Sequence, residues 1–99
     1  MKKLVKPAVI IEKPAVVKEV ENEGLVALLG KQVMLFCLNY IYTGKLTGVN
    51  ASCVLLENPS IVYETGPFSD QKFKDAQPLP FQHYVQTSAI ESFGETNKR

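Results

Sequence analysis

The sequence predicts a mostly β chain built on one small, strongly bent antiparallel sheet. Three observations carry this reading. From residue 31 onward, short apolar and β-branched runs alternate with turn residues at strand-like intervals. Inside the second such run, Gly44 and Gly48 stand four apart, and a strand without Cβ atoms at fixed points can bend while another backbone approaches closely. Asn50 and Ala51 then offer a turn. Cys53, Val54, Leu55 and Leu56 follow, apolar at every position, as in a strand covered on both faces.

The length of 99 residues fits a single small domain. A hydrophobic content of 45% and a charged content of 21% are those of a folded chain and argue against disorder. Eleven Lys and Arg face ten Asp and Glu, so the net charge of +1 supplies no general attraction for a phosphate backbone. Any nucleic-acid contact needs a local cluster. Cys37 and Cys53 lie in apolar runs and read as buried free thiols rather than a disulfide. The first apolar run, Ala8 to Ile11, is bracketed by Pro7 and Glu12, and no small-residue cleavage site follows it, so it does not read as a secretion signal. No run has the length of a membrane span, and the expected location is cytoplasmic. The Asn50-Ala51-Ser52 triplet matches a glycosylation acceptor by pattern only, since a cytoplasmic protein would not present it for modification.

Residues 1–18 form an N-terminal arm with Lys2, Lys3, Lys6, Lys13 and Lys18, its two β-branched patches lying between and after Pro7 and Pro14. Solvated lysines are the simpler reading, and a basic arm reaching toward RNA is the alternative; Glu12, Glu19, Glu21 and Glu23 offset the charge. The domain proper runs over 19–94. Residues 22–30 predict a short helix, which could begin as early as Val17, with Asn22 as cap, Glu23 on the dipole, Leu25, Leu28 and Leu29 on one face and Gly30 past its end. Residues 31–39 predict a strand apolar on both faces, one turned to the interior and the other to a helix or a second subunit. The second strand is 41–49, with Tyr42, Gly44, Leu46 and Gly48 on one face and Thr43, Lys45, Thr47 and Val49 on the other. The third starts at Ala51. Pro59 marks a bulge or an edge, and strand character resumes over 61–65. Residues 66–80, with three prolines, read as a long inserted loop in which Phe68 and Phe73 need cover. The fourth strand is 81–87, a short break follows at Ser88 and Ala89, and the last strand is 90–93. Beyond it lies a solvated C-terminal tail, assigned as its own segment over 95–99.

A short N-terminal helix followed by a five-stranded, strongly bent antiparallel barrel is similar to the Sm-like (LSm) fold. The match is nearest to the bacterial RNA-chaperone branch of that family, the Hfq-like proteins. It is carried by residues 43–58, through Gly44, Asn50 and the aliphatic Val54, Leu55 and Leu56, and by residues 84–93, through Val85, Ala89 and Ile90. The first strand and helix agree in order rather than in residues, and residues 65–80 and the long arm have no counterpart in compact members. The resemblance implies a homo-oligomeric ring of about five to seven copies, in which the fourth strand of one copy pairs with the fifth of the next. On that account Phe81, His83, Tyr84, Val85, Ile90 and Phe93 are the candidate interface residues. It also implies binding of single-stranded RNA, with bases stacked on aromatics and read by loop residues.

The candidate RNA contacts carried over are Asn50 and Ser52 in one loop and Gln86, Thr87 and Ser88 in the last turn. Asn50 holds the acidic or amide position. Ser52 stands at the aromatic position and cannot stack; Gln86, Thr87 and Ser88 replace an aromatic and two basic groups. A lost stacking contact forfeits about 1–3 kcal/mol, so the family's usual site is expected to be weak here. A structural role for these polar turns is the competing reading. The runner-up function is therefore a protein-interaction ring or scaffold that uses residues 66–80 and the arm. His83, the only histidine, reads as a half-buried packing residue, since no Cys, His or carboxylate spacing accompanies it. Tyr40, Tyr42, Tyr63 and Tyr84 could stack bases but read first as cross-strand packing. No metal, cofactor or catalytic set is expected, and no partner other than copies of the chain, single-stranded RNA or other proteins.

Overall fold

The computed structural model describes residues 24–99. The expected arm and the capping residues Asn22 and Glu23 lie outside these residues. Six strands form one antiparallel sheet: β1 (Gln32–Cys37), β2 (Ile41–Val49), β3 (Cys53–Glu64), β4 (Asp75–Pro78), β5 (His83–Gln86) and β6 (Ile90–Glu95). The order is β4-β3-β2-β1-β6, and β5 pairs with β3. The chain therefore runs as a meander through β1, β2 and β3. It returns along the far edge of β3 in two pieces, and its last strand lands on the free side of β1.

The two strand glycines sit where the register slips. Thr43 faces Ser60 while Lys45 faces Glu57, so Gly44 alone stands opposite Asn58 and Pro59. Asn58 adopts a left-handed φ of 51°, a conformation that Asn tolerates better than most residues. The bulge expected from Pro59 is thus on β3, and it bends the strand so that its first half pairs with β5 and its second with β4. A second slip falls between Leu46 and Gly48. The extra residue there reverses the alternation of β2, and Val49, expected on the face opposite Leu46, packs against the same cluster as Leu46.

Two apolar clusters result. The first joins Val33, Leu35, Leu46, Val54, Leu56 and Val85, with Leu25, Leu28, Cys37, Tyr42, Val49 and Ile90 at its margin. The second joins Met34, Val62 and Phe73, bordered by Phe36, Ile41 and Ala76. Both faces of β1 are covered, as its composition required. Among the described residues, the second face is covered by the chain's own Val62, Phe73 and Ala76. Periodicity identifies an apolar face but not its cover. On the outer side of β3, Cys53 and Leu55 are only half-buried. Both cysteines are free.

Four expectations are corrected. The described part of the helix expected over 22–30 is a five-residue 3-10 helix, Gly24–Leu28. Gly24 and Gly30 both have positive φ, of 69° and 85°, and bracket a turn too short for α-helix; Leu25 and Leu28, three apart, line up on one side and pack inward, while Leu29 stays 43% exposed. The stretch 66–80 is not loop throughout, because Asp75–Pro78 pair with β3 from Ser60 to Glu64, with Pro78 at the strand end where a missing donor costs least. This supplies the sixth strand. The expected fourth strand over 81–87 shortens to His83–Gln86. Finally, the tail is only partly solvated: Asn97 and Arg99 are exposed, but Lys98 is not. The last strand runs on to Glu95, and Lys98 is 3% exposed.

Candidate functional site

The two loops singled out in the sequence meet in space. Gln86 pairs with Cys53 at the start of the β3–β5 ladder, which brings the Asn50–Cys53 turn against the 3-10 turn Thr87–Ala89. The Thr87 amide donates to the Ser52 carbonyl at 2.9 Å, and the Thr87 hydroxyl donates to the Ala51 carbonyl at 2.8 Å. Within the first turn, Asn50 Oδ1 accepts from the Ser52 amide at 2.8 Å, the Ser52 hydroxyl at 3.1 Å and the Cys53 amide at 2.9 Å. This is an Asx turn closed by its own side chain.

The chemistry left for a ligand follows from that bookkeeping. The Asn50 carbonyl oxygen is saturated, and the Ser52 and Thr87 hydroxyl protons are spent inside the fold. The Asn50 amide NH2, the exposed Gln86 amide and the exposed Ser88 hydroxyl remain. They can donate to or accept from a base edge. No aromatic ring or cation belongs to either turn, so stacking and phosphate attraction are missing at this point.

The interface candidates divide into two groups. Val85 is 4% exposed and packs in the first cluster, so it offers a neighbour only its backbone, while half-buried Ile90 lies at the cluster's margin. His83 is half-buried and stacks on Tyr42, with ring centres 5.3 Å apart and planes 27° apart; Tyr40 meets Tyr42 edge-on at 6.2 Å. Phe81, Tyr84 and Phe93 point outward, at 81%, 65% and 41% exposure. Among the described residues, β5 is paired only with β3 and β6 only with β1, so each has one unpaired edge.

Burial raises the Cys37 thiol above its ordinary value. It raises the Tyr42 phenol as well, with smaller contributions from Cys37 and Tyr40. Neither group is activated toward nucleophilic or basic chemistry by this environment. Among the described residues, no group of three or more His, Cys, Asp or Glu side chains is placed to hold a metal. No helix among them is long and apolar enough to cross a membrane.

The feature that the sequence concealed is Lys98. Its ammonium donates to the carbonyls of Pro67 at 2.8 Å, Asp70 at 2.6 Å and Lys72 at 3.0 Å, so all three protons are used. A lysine in a polar terminal run carries no signal of such a role.

No protein-family model matches the chain, and no curated protein matches it at the significance required.

Proposed function

We propose that the chain is a subunit of an Sm-like homo-oligomeric ring that serves as a self-assembled scaffold for protein contacts. The observation that carries this reading is the pair of open edges. The bent sheet ends at β4 and β5 on one side and at β6 on the other, all unpaired outward among the described residues, and β5 and β6 carry the exposed aromatics Tyr84 and Phe93. Order and bend both support the Sm-like assignment: a meander of three strands, a return strand on β3, a 3-10 turn, and a last strand on β1. A contact between β5 of one copy and β6 of the next uses two different surfaces, so it propagates around a closed ring when the rotation fits.

Solution mass tests this reading. The unmodified protein should run as one discrete oligomer in light scattering, and Tyr84→Arg combined with Phe93→Arg should reduce it to a folded monomer. A monomer at tens of micromolar for the unmodified chain would defeat the ring. Proline at Val85 is a poorer probe, because that side chain is in the core and the sheet itself would suffer.

Single-stranded RNA binding is the second reading, favoured by the meeting of the Asn50 and Thr87 turns. The saturated oxygen of Asn50, the absence of a stacking ring and the near-neutral charge place it behind the scaffold reading. Titration with labelled oligo(U) and oligo(A) at low and moderate salt decides between them. Binding no tighter than that of a scrambled duplex at low salt removes RNA and leaves the ring. For protein capture through residues 66–80, Phe68→Ser is the suitable change, since Phe68 is 65% exposed whereas deletion of the whole stretch would also remove β4 and Phe73.

A further inference from the structure

The residues after β6 are tied to the segment that follows β3 by contacts that no part of the ring reading uses. Thr96 continues the ladder by donating its amide to the Gln32 carbonyl at 2.9 Å. The chain then crosses residues 67–73. The Arg99 amide donates to the Gln71 carbonyl at 2.9 Å, and the Phe73 amide donates to the Arg99 carbonyl at 3.0 Å. Between these, the Lys98 ammonium enters its cage of three carbonyls, 5.5 Å from the centre of the Phe73 ring and 5.9 Å from that of Phe68. Phe73 is the cover of the second apolar cluster and packs with Met34 and Val62.

The seam beneath these contacts is open and mostly polar. A cleft of about 330 Å³ runs along it, lined by Phe68, Asp70, Gln71, Glu95, Thr96 and Asn97. The joint is thus made of hydrogen bonds at a solvent-reached border, while the first cluster is sealed by apolar packing. Units joined in this way open at lower free energy than the core.

We propose that residues 96–99 are a strap that closes the 66–74 segment over a second, outward apolar face of the sheet, with Lys98 as its pin. When the pin is drawn, Phe73 lifts and the face formed by Met34, Ile41 and Val62 is uncovered, while the sheet around the first cluster stays folded.

Hydrogen exchange and peroxide oxidation of the full chain test the strap. Lys98→Met keeps an unbranched apolar stem and removes the ammonium. In that variant, amides of 66–74 and 96–99 should exchange at least tenfold faster, segment 53–56 should be unchanged, and Met34, 4% exposed when the strap is closed, should oxidise several-fold faster. Unchanged exchange in 66–74 overturns the proposal, and so does equal acceleration throughout the sheet. If the variant does not fold, the unmodified chain supplies the decision: segments 66–74 and 96–99 must exchange together and ahead of 53–56, and exchange in step with 53–56 overturns the strap.

Discussion

A methyl group added at Gly44 tests the bend on which the fold depends. The backbone there has no positive φ, so the position does not need glycine for its dihedral angles. It needs glycine for space. A Cβ at Gly44 would lie 3.1 Å from the Glu57 carbonyl oxygen, 3.2 Å from Leu56 Cβ and 3.2 Å from Pro59 Cα. Two of these three are backbone atoms of β3, and β3 is held by β2 on one edge and by β4 and β5 on the other. Relief by a few tenths of an ångström must therefore come from shifting the bulge itself. Overpacking of this kind costs about 1–3 kcal/mol. For a domain of this size each kcal/mol is worth roughly 4–8 °C, so Gly44→Ala should lower the melting temperature by roughly 5–20 °C. Gly48→Ala is the matched control, because its Cβ would meet only Leu55 Cβ, at 3.4 Å. With its φ also outside the left-handed range, it should be neutral or stabilise by up to about 1 kcal/mol. Calorimetry at one fixed protomer concentration compares the two, since assembly makes melting concentration-dependent. Equal melting temperatures for the two variants would refute the reasoning.

Leu56→Ala removes a fully buried side chain from the first cluster and should cost about 2–5 kcal/mol by denaturant unfolding, with a loss under about 1 kcal/mol contradicting its placement. Asn50→Ala deletes the acceptor of three hydrogen bonds and should cost about 1–2 kcal/mol, whereas Asn50→Asp keeps that acceptor and should be close to neutral; equal losses would mean that the Asx turn does not hold the loop. Alkaline stability follows from Cys37 and Tyr42. Both hold their protons more tightly in the folded state, so the folded protein binds more protons once pH passes the unfolded values, ordinarily 9.0 and 10.0. Their contribution is complete below that window and is lost as pH rises through the folded values. Unfolding measured from pH 8 to 11 should show a decline that flattens in a Cys37→Ala, Tyr42→Phe double variant, and an unchanged slope would rule these groups out.

Much of the fold was legible because local chemistry and tertiary structure agree along the first three strands. The apolar faces of β1, the turn at Asn50 and the irregularity at Pro59 each follow from a property of the residue in place. The 3-10 turn was misjudged because leucines at i, i+3 and i+4 suit a helix, and the left-handed glycines that cut it short leave no mark on that periodicity. β4 was missed because Asp75, Gln77 and Pro78 are poor strand formers; pairing with Ser60 to Glu64 overrides their preference. The candidate site was half legible. That Asn50 organises its loop could be argued from residue type, but which protons and lone pairs stay free depends on Thr87, far along the chain.

The amino-acid order specified a bent antiparallel sheet, its main turns and the apolar sides of its strands, because dihedral preference and side-chain alternation act over a few residues. Which segment covers the outer side of β1, where Lys98 places its charge and which edges are left open depended on the folded chain, because those contacts join positions 26 to 31 residues apart at Lys98 and 36 at Thr87. No local pattern encodes a carbonyl cage. It exists only once folding has brought Lys98 against residues 67–72.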